Sequence, residues 1–289
     1  MMFGTRKEFT YLECSCCGRL RISEEPPNLG DYYPSTYNPY SVGTQSALKT
    51  QLRQQLVSFA IHHPWFVRAI APQRFVTAKQ AHALRLKPEM RILDVGCGAG
   101  MLVRDLRAAG FNAIGVDRFA PQISDAHGLV VKQCELQDIT QEFDCILFNH
   151  SLEHINDQVG TLRLAQSKLA KNGICIVRIP IVNWAWKEYK TDWVQLDPPR
   201  HQTLHTEKSF GLAAEQAGFS VFDTVHDSLD FQFWGSELIR LGVPLETGMG
   251  RLPDYFSKQR RLEFSRHAEE LNQKRLGDQA IFFLRRIEC

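Results

Sequence analysis

The 289-residue chain has no apolar run that approaches the ~18 residues of a helical membrane span. Its opening, Met1-Met2-Phe3-Gly4-Thr5-Arg6-Lys7-Glu8, lacks the apolar centre of a secretory signal. Excess charge is also missing. Lys and Arg number 34 against 32 Asp and Glu, a formal net charge of +2, so the balance does not favour a nucleic-acid partner. There is no internal repeat and no low-complexity tract, which excludes solenoids and disordered linkers. Cysteines number 8, but a paired framework is absent. Cys97, Cys134, Cys145 and Cys175 each sit in or beside an apolar strand-like segment. They read as small core residues of a reduced, cytoplasmic protein. What remains is ordinary globular material, 44% hydrophobic and 23% charged, enough for one large domain or two small ones.

Residues 1–45 read as an irregular leader rich in Tyr, Pro and Cys. Over 46–87, Ala47, Leu48, Leu52, Leu56, Val57 and Ile61 recur at helical spacing, and Pro64 and Pro72 break the stretch. From Arg91 strands alternate with helices. Strands are predicted over 92–95, 113–116, 129–131, 144–148, 174–177, 219–225 and 280–284, and helices over 101–109, 157–170, 206–217 and 254–275. This alternation predicts an α/β fold whose sheet is mostly parallel, with helices on both faces.

The strongest motif is Asp94-Val95-Gly96-Cys97-Gly98-Ala99-Gly100, which leaves a strand and opens a helix. Glycines there allow a tight turn and close approach of backbone to a ligand. Asp117 ends the next strand, where a carboxylate can accept bonds from ribose hydroxyls. The spacing is Gly-x-Gly-x-Gly, not the dinucleotide Gly-x-Gly-x-x-Gly, and no Gly-Lys-Ser/Thr follows. The acid two residues before the first glycine would repel a pyrophosphate and suits an ammonium group.

On these residues the chain resembles the class I S-adenosyl-L-methionine-dependent methyltransferases over roughly 75–225. The resemblance implies a Rossmann-like sheet of seven strands. It implies that Gly96, Cys97, Gly98 and Gly100 pack under the cofactor and that Asp94 acts near its methionine end. It implies further that Asp117 holds the ribose, with Glu135 and Leu136 flanking the adenine. Glu135 stands where the family more often has Asp, and a plain surface acid is the alternative.

The segment Phe143 to Ile155 is similar to the strand-4 motif of the small-molecule branch, including the ubiquinone-type O-methyltransferases. That likeness implies that Asn149 and His150 lie beside the sulfonium. His154 is the first candidate for a general base, because an unperturbed imidazole titrates near neutrality. Alternatively, Glu153 and His154 form a pair that shapes the loop. Some relatives hold a divalent metal on Glu-x-x-Glu-His; here the set is His150, Glu153 and His154, which loses a hard oxygen ligand, and no metal is expected. Asp197-Pro198-Pro199 follows the fifth strand rather than the fourth, unlike the motif of base N-methylating enzymes. His201 and His205, just beyond, are further candidates on the acceptor side, or else caps of the following helix.

Cys14-Ser15-Cys16-Cys17-Gly18 holds one Cys-x-x-Cys knuckle, Cys14 and Cys17. With Tyr32-Tyr33-Pro34 it resembles the zinc-ribbon leader of some sugar methyltransferases. Only half of the ligands are present, so a ribbon without its zinc is expected. The Pro-Tyr segment can instead cover the cofactor. Phe231-Gln232-Phe233-Trp234-Gly235-Ser236 suits stacking on a sugar face, or filling of a core. The expected organisation is a leader 1–45, a helical segment 46–87, a cofactor-binding core 88–225 and an acceptor-side extension 226–289. The expected activity is methyl transfer to an oxygen, in preference to nitrogen or carbon. The expected acceptor is a small nucleotide- or lipid-linked sugar of a surface-polysaccharide pathway. The alternatives are a small aromatic or quinone-like acceptor, or a non-catalytic cofactor-binding module.

Overall fold

Side chains that alternate between apolar faces at every second position build the central sheet. In β7 (Phe143–Asn149), Cys145 and Leu147 point to one face and Ile146 and Phe148 to the other, and all four are buried. β3 (Arg91–Val95) divides Ile92 from Leu93 in the same way, and β11 (Gln279–Arg286) divides Ile281 and Phe283 from Phe282 and Leu284. A strand buried on both faces needs helices above and below it. The computed structural model, which describes residues 7–33, 47–63, 76–125 and 128–288, supplies them. α1 (Ala47–His62), α2 (Val76–Ala83) and α3 (Met101–Ala108) cover one face. α4 (Gln158–Ser167) and α6 (Glu207–Gln216) cover the other.

The sheet has eight strands in the order β10-β11-β8-β7-β3-β4-β6-β5. β4 (Asn112–Val116), β6 (Gly128–Lys132), β7 and β8 (Leu169–Pro180) join β3 in a parallel array. β11 runs antiparallel between β8 and β10 (Phe219–His226). The expected count of seven is corrected by β5 (Ile123–Asp125), an antiparallel edge strand with a single apolar residue. Strand order reverses between β3 and β7, so the glycine loop after β3 opens at the topological switch point, where such sheets bind ligands.

Other boundaries shift for local reasons. α4 stops at Ser167 rather than 170, because Leu169 already pairs with Phe143 and β8 then bulges through Asn172 at φ +69. α10 (Lys258–Gln273) begins after Ser257, whose hydroxyl accepts from Arg260 N, and not at 254. The leader is not wholly irregular. β1 (Tyr11–Glu13) and β2 (Leu20–Ile22) form a hairpin that adds to β9 (Thr203–Leu204) in a small antiparallel sheet. The expected break at Pro64 and Pro72 and the Pro-Tyr segment beyond Tyr33 lie outside the described residues.

A separate apolar cluster joins Leu20 of the hairpin to α5 (Trp184–Tyr189), α7 (Phe231–Arg240) and α10. Gln232, Phe233 and Ser236 are 1%, 2% and 0% exposed, so most of the aromatic-and-amide set expected to grip a sugar fills this core. Among the described residues no helix is long and apolar enough to cross a membrane.

Phe282 stands at the centre of β11, 1% exposed, with its ring 4.1 Å from that of Phe210 on α6. Phe282→Ala removes this packing and leaves a cavity. We expect the unfolding free energy from urea titration to fall by about 3–5 kcal/mol. A loss below ~1 kcal/mol would mean that α6 collapses into the space.

Candidate active site

From Val95 the chain turns through the glycine loop into α3. Gly96 has φ +72, and a Cβ there would come within 2.5 Å of Ser151 Cβ. Gly100 has φ +69, and its Cβ would meet Val131 Cγ2 at 2.3 Å. A side chain at either would push the loop off the ends of β7 and β6. Cys97 packs back on Gly115 of β4, where a Cβ would lie 2.3 Å from its sulfur. The loop thus owes its shape to close backbone packing against its neighbours.

Asp117 holds that loop in place. Its Oδ2 accepts from Gly98 N at 2.9 Å, and its Oδ1 from Phe119 N at 2.8 Å and Ala120 N at 2.9 Å. A carboxylate oxygen has two acceptor sites, so Oδ2 retains one beyond its loop bond. Asp94 lies behind the loop, 3% exposed, and its Oδ1 has no hydrogen-bond partner. Burial, and then the neighbouring charge of Asp117, push its carboxyl up to about 8. A buried acid with an orphaned oxygen beside a glycine cradle fits a ligand that carries an ammonium group.

Gly96, Cys97, Gly98 and Asp117 open on a cleft of about 950 Å³, from which Asp94 and Gly100 are set back. Gly96, Cys97, Gly98, Asp117, Glu135 and Leu136 line one half; Asn149, His150, His154 and His201 line the other. Cys97 and Cys134 are therefore cleft residues, only partly buried, whereas Cys145 and Cys175 are core as expected. Glu135 pairs with Arg118 at 3.2 Å on the rim. Asn149 Oδ1 accepts from Arg178, which is anchored by Asp227 at 2.7 Å. His150 adopts φ +56, a left-handed conformation that non-glycine residues rarely hold outside functional turns.

At the second half a polar cluster gathers from three segments. Ligand atoms of Glu153, His154 and His201 lie within 4.8 Å of one another. Glu153 is 1% exposed, and neither of its carboxylate oxygens has a hydrogen-bond partner. Burial opposes its ionisation, but His150 at 3.4 Å, His154 and His201 outweigh that and hold it below the usual carboxylate range. His154 Nδ1 is 3.0 Å from Arg200 O, and His201 Nδ1 is 2.7 Å from Gln195 O. A carbonyl only accepts, so both rings carry their proton on Nδ1 and a lone pair on Nε2. The near-neutral titration expected of His154 is corrected: burial first, and His201 second, bring its pKa down to about 4, so the ring is neutral at pH 7. Asp197 chelates Arg200 and stands 3.8 Å from His201 Nε2. Tyr11 of β1 donates to His201 O at 2.7 Å and so ties the leader to this loop.

The Glu153 carboxylate and the Nε2 lone pairs of His154 and His201 can receive protons from a hydroxyl or hold a cation. Among the described residues this is the set able to hold a metal. It uses His201 where the sequence pattern pointed to His150. The expected role of His205 is corrected. It lies outside the cleft, 2% exposed, with Nδ1 2.9 Å from Ser209 Oγ and Nε2 2.6 Å from Gln158 Oε1. Both ring nitrogens are occupied in bracing α4 against α6. Tyr33 and Phe231, from the leader and the C-terminal aromatic run singled out in the sequence, also line the cleft; sequence reasoning missed Phe119 and Leu245, whose only signal was aromatic or apolar character.

Linkage gives the sign of a pH effect. The unfolded chain ionises Asp94 near pH ~3.9, but the folded chain resists until about 8. The stability this group contributes is complete below the unfolded value and is lost as pH rises toward the folded one. Between pH 5 and 8 we expect wild-type stability to urea to fall by up to about 1.4 kcal/mol per pH unit relative to Asp94→Asn. Parallel pH profiles would mean that Asp94 is already ionised in the folded chain.

A family model described as a methyltransferase domain matches residues 68–224. The chain is 26% identical over 224 residues, 66% of its length and 87% of the relative's, to a ubiquinone biosynthesis O-methyltransferase of Rhodopseudomonas palustris strain BisB18. It is 34% identical over 123 residues to a ubiquinone biosynthesis O-methyltransferase of Azorhizobium caulinodans, covering 39% of this chain and 48% of that one. A solved cyclopropane synthase, MmaA2 of Mycobacterium tuberculosis, superposes with TM-score 0.48 at 16% identity, covering 75% of this chain and 86% of the other.

Proposed function

The chain belongs to the methyltransferase-domain family, and on that premise we propose that it moves the methyl group of S-adenosyl-L-methionine to a hydroxyl oxygen of a small aromatic or quinone-like molecule. One observation carries the reading: Glu153, His154 and His201 converge in the same cleft that the glycine loop lines. When bound, S-adenosylmethionine supplies a sulfonium methyl group open to in-line displacement.

The chain's own residues do the rest. On this reading Asp94 acts on the ammonium of the methionine part through the loop backbone or a water, and the free acceptor site on Asp117 Oδ2 serves a ribose hydroxyl. Glu135 and Leu136 border the adenine. At the other half, the acceptor hydroxyl donates its proton to the Nε2 of His154 or His201, which raises the nucleophilicity of its oxygen. The carboxylate of Glu153 then stabilises the imidazolium that forms. Alignment of oxygen and methyl carbon is the main contribution of the cleft. Apolar walls from Ile155, Val194, Phe231 and Leu245 favour a planar apolar acceptor. The names of the relatives agree with an aromatic or quinone-like acceptor. The sugar acceptor expected from the leader and the C-terminal aromatics draws no support from them, and most of those aromatics are core.

Two experiments test this reading. The first is calorimetric binding of S-adenosylhomocysteine. Asp117→Ala loses the ribose contact, the Gly98 amide bond that shapes the loop and two amide bonds in its own turn, so affinity should fall at least ~tenfold, given ~1.5–3 kcal/mol for each charge-assisted bond. Unchanged affinity would remove Asp117 from the cofactor site.

The second is single-turnover methyl transfer to 3,4-dihydroxybenzoate. His154→Ala and His201→Ala should each slow it about a hundredfold with S-adenosylhomocysteine affinity unchanged, and His205→Ala should leave the chemical step near wild type. EDTA should leave the wild-type rate intact. A rate abolished by EDTA and restored by Mg²⁺ would replace the histidine base with a metal, and turnover of a sugar nucleotide in place of the catechol would overturn the acceptor.

A further inference from the structure

The leader supplies a residue to the centre of the cleft, although it lies outside the matched methyltransferase domain. A short 3₁₀ turn, Leu29–Tyr32, ends at Tyr33, whose backbone N–H donates to Gly30 O at 3.0 Å. The Tyr33 ring lies between the two halves of the site. On one side it stacks on Phe119, with centroids 6.1 Å apart and planes at 21°. On the other its hydroxyl stands 3.2 Å from His154 Nδ1, and its ring meets the His154 ring edge-on at 6.1 Å.

Both contacts fall on machinery already described. Phe119 N is one of the amides bound by Asp117, so Phe119 moves with the ribose side of the cleft. His154 Nδ1–H points to Arg200 O, and the Tyr33 oxygen lies within reach of the same proton as a second acceptor. A three-centre bond of this kind fixes both the tautomer and the plane of the ring, which keeps the Nε2 lone pair turned to the acceptor. Arg200 itself lies 6.0 Å over the Tyr33 ring, so the tyrosine also braces the segment that carries His201.

We propose that Tyr33 is a positioning residue for methyl transfer: it sets the His154 imidazole relative to the cofactor half by bridging Phe119 and His154. The proposal rests on the reading of His154 as the proton acceptor. It makes the leader part of the active site rather than a separate module.

The test compares Tyr33→Phe, which keeps the ring and removes the hydroxyl, with Tyr33→Leu, which removes both. In full-length protein labelled with ¹⁵N-histidine and saturated with S-adenosylhomocysteine, the His154 ring nitrogens should shift and broaden in both variants, more in Tyr33→Leu. The ring signals of His205, fixed by Ser209 and Gln158, serve as the internal control and should stay in place. In methyl transfer to 3,4-dihydroxybenzoate, kcat should fall about tenfold in Tyr33→Phe and further in Tyr33→Leu, while KM for S-adenosylmethionine stays within twofold in Tyr33→Phe. Unmoved His154 signals in both variants would overturn the proposal, as would a change confined to KM. The spectroscopic arm needs no acceptor. Failure of wild type to methylate the catechol would therefore count against the reading of the acceptor, and the His154 signals would still decide the role of Tyr33.

Discussion

The cleft depends on one carboxylate bound by three amides. Asp117 collects the N–H groups of Gly98, Phe119 and Ala120. In doing so it ties the turn after β3 to the end of β4. Hydrogen bonds to a charged acceptor are roughly twice as strong as neutral ones, and these are buried. The glycine loop takes its geometry from this anchor, from Cys97 packed on Gly115 and from close packing on Ser151 and Val131. Once the loop is set, its side of the cleft follows. Asp94 is trapped behind it, and Phe119 is placed where the leader can reach it.

The acceptor half is assembled differently, from segments that a parallel sheet merely brings near one another. Glu153 and His154 follow β7, and His201 follows the helical turns after β8. Each is held through backbone carbonyls: His154 by Arg200 O, His201 by Gln195 O, and Gln202 N by Glu153 O at 2.7 Å. Such mutual bracing leaves the Nε2 lone pairs and the Glu153 oxygens unspent. Unspent acceptors in a buried place are costly to the folded chain, and that cost is tolerable where a ligand completes the bonding. The leader hairpin joins the same loop through Tyr11, and the C-terminal extension adds Phe231 and Leu245 to the wall. Tyr33, Phe231 and Leu245, from outside the matched domain, thus complete a cleft whose polar cluster lies within it.

Much of this was legible in the chain before folding. Short continuous apolar runs marked seven of the sheet strands, because a strand buried on both faces leaves a dense local signal. The Gly-x-Gly-x-Gly turn and the strand-end Asp117 were readable for the same reason: each sits at a fixed offset from a strong strand, so local pattern and site coincide. β5 was missed because three residues with one apolar side chain carry no periodicity, and the leader hairpin because its strands are three residues each.

Sequence alone therefore determined the class of the fold, the glycine turn after the first sheet strand and the methyltransferase class, all of which rest on short-range spacing. Only the tertiary structure decided which histidines share the cleft. His201 and His205 are four residues apart, and nothing in their neighbours separates them. The turn after Asp197 carries His201 into the cleft beside Glu153, whereas His205, on the far side of β9, faces Gln158 and Ser209. The same holds for Tyr33, which lies 121 residues from His154 in the chain. Contacts of that separation depend on how the hairpin docks on β9, and no local pattern encodes the docking of one element on another.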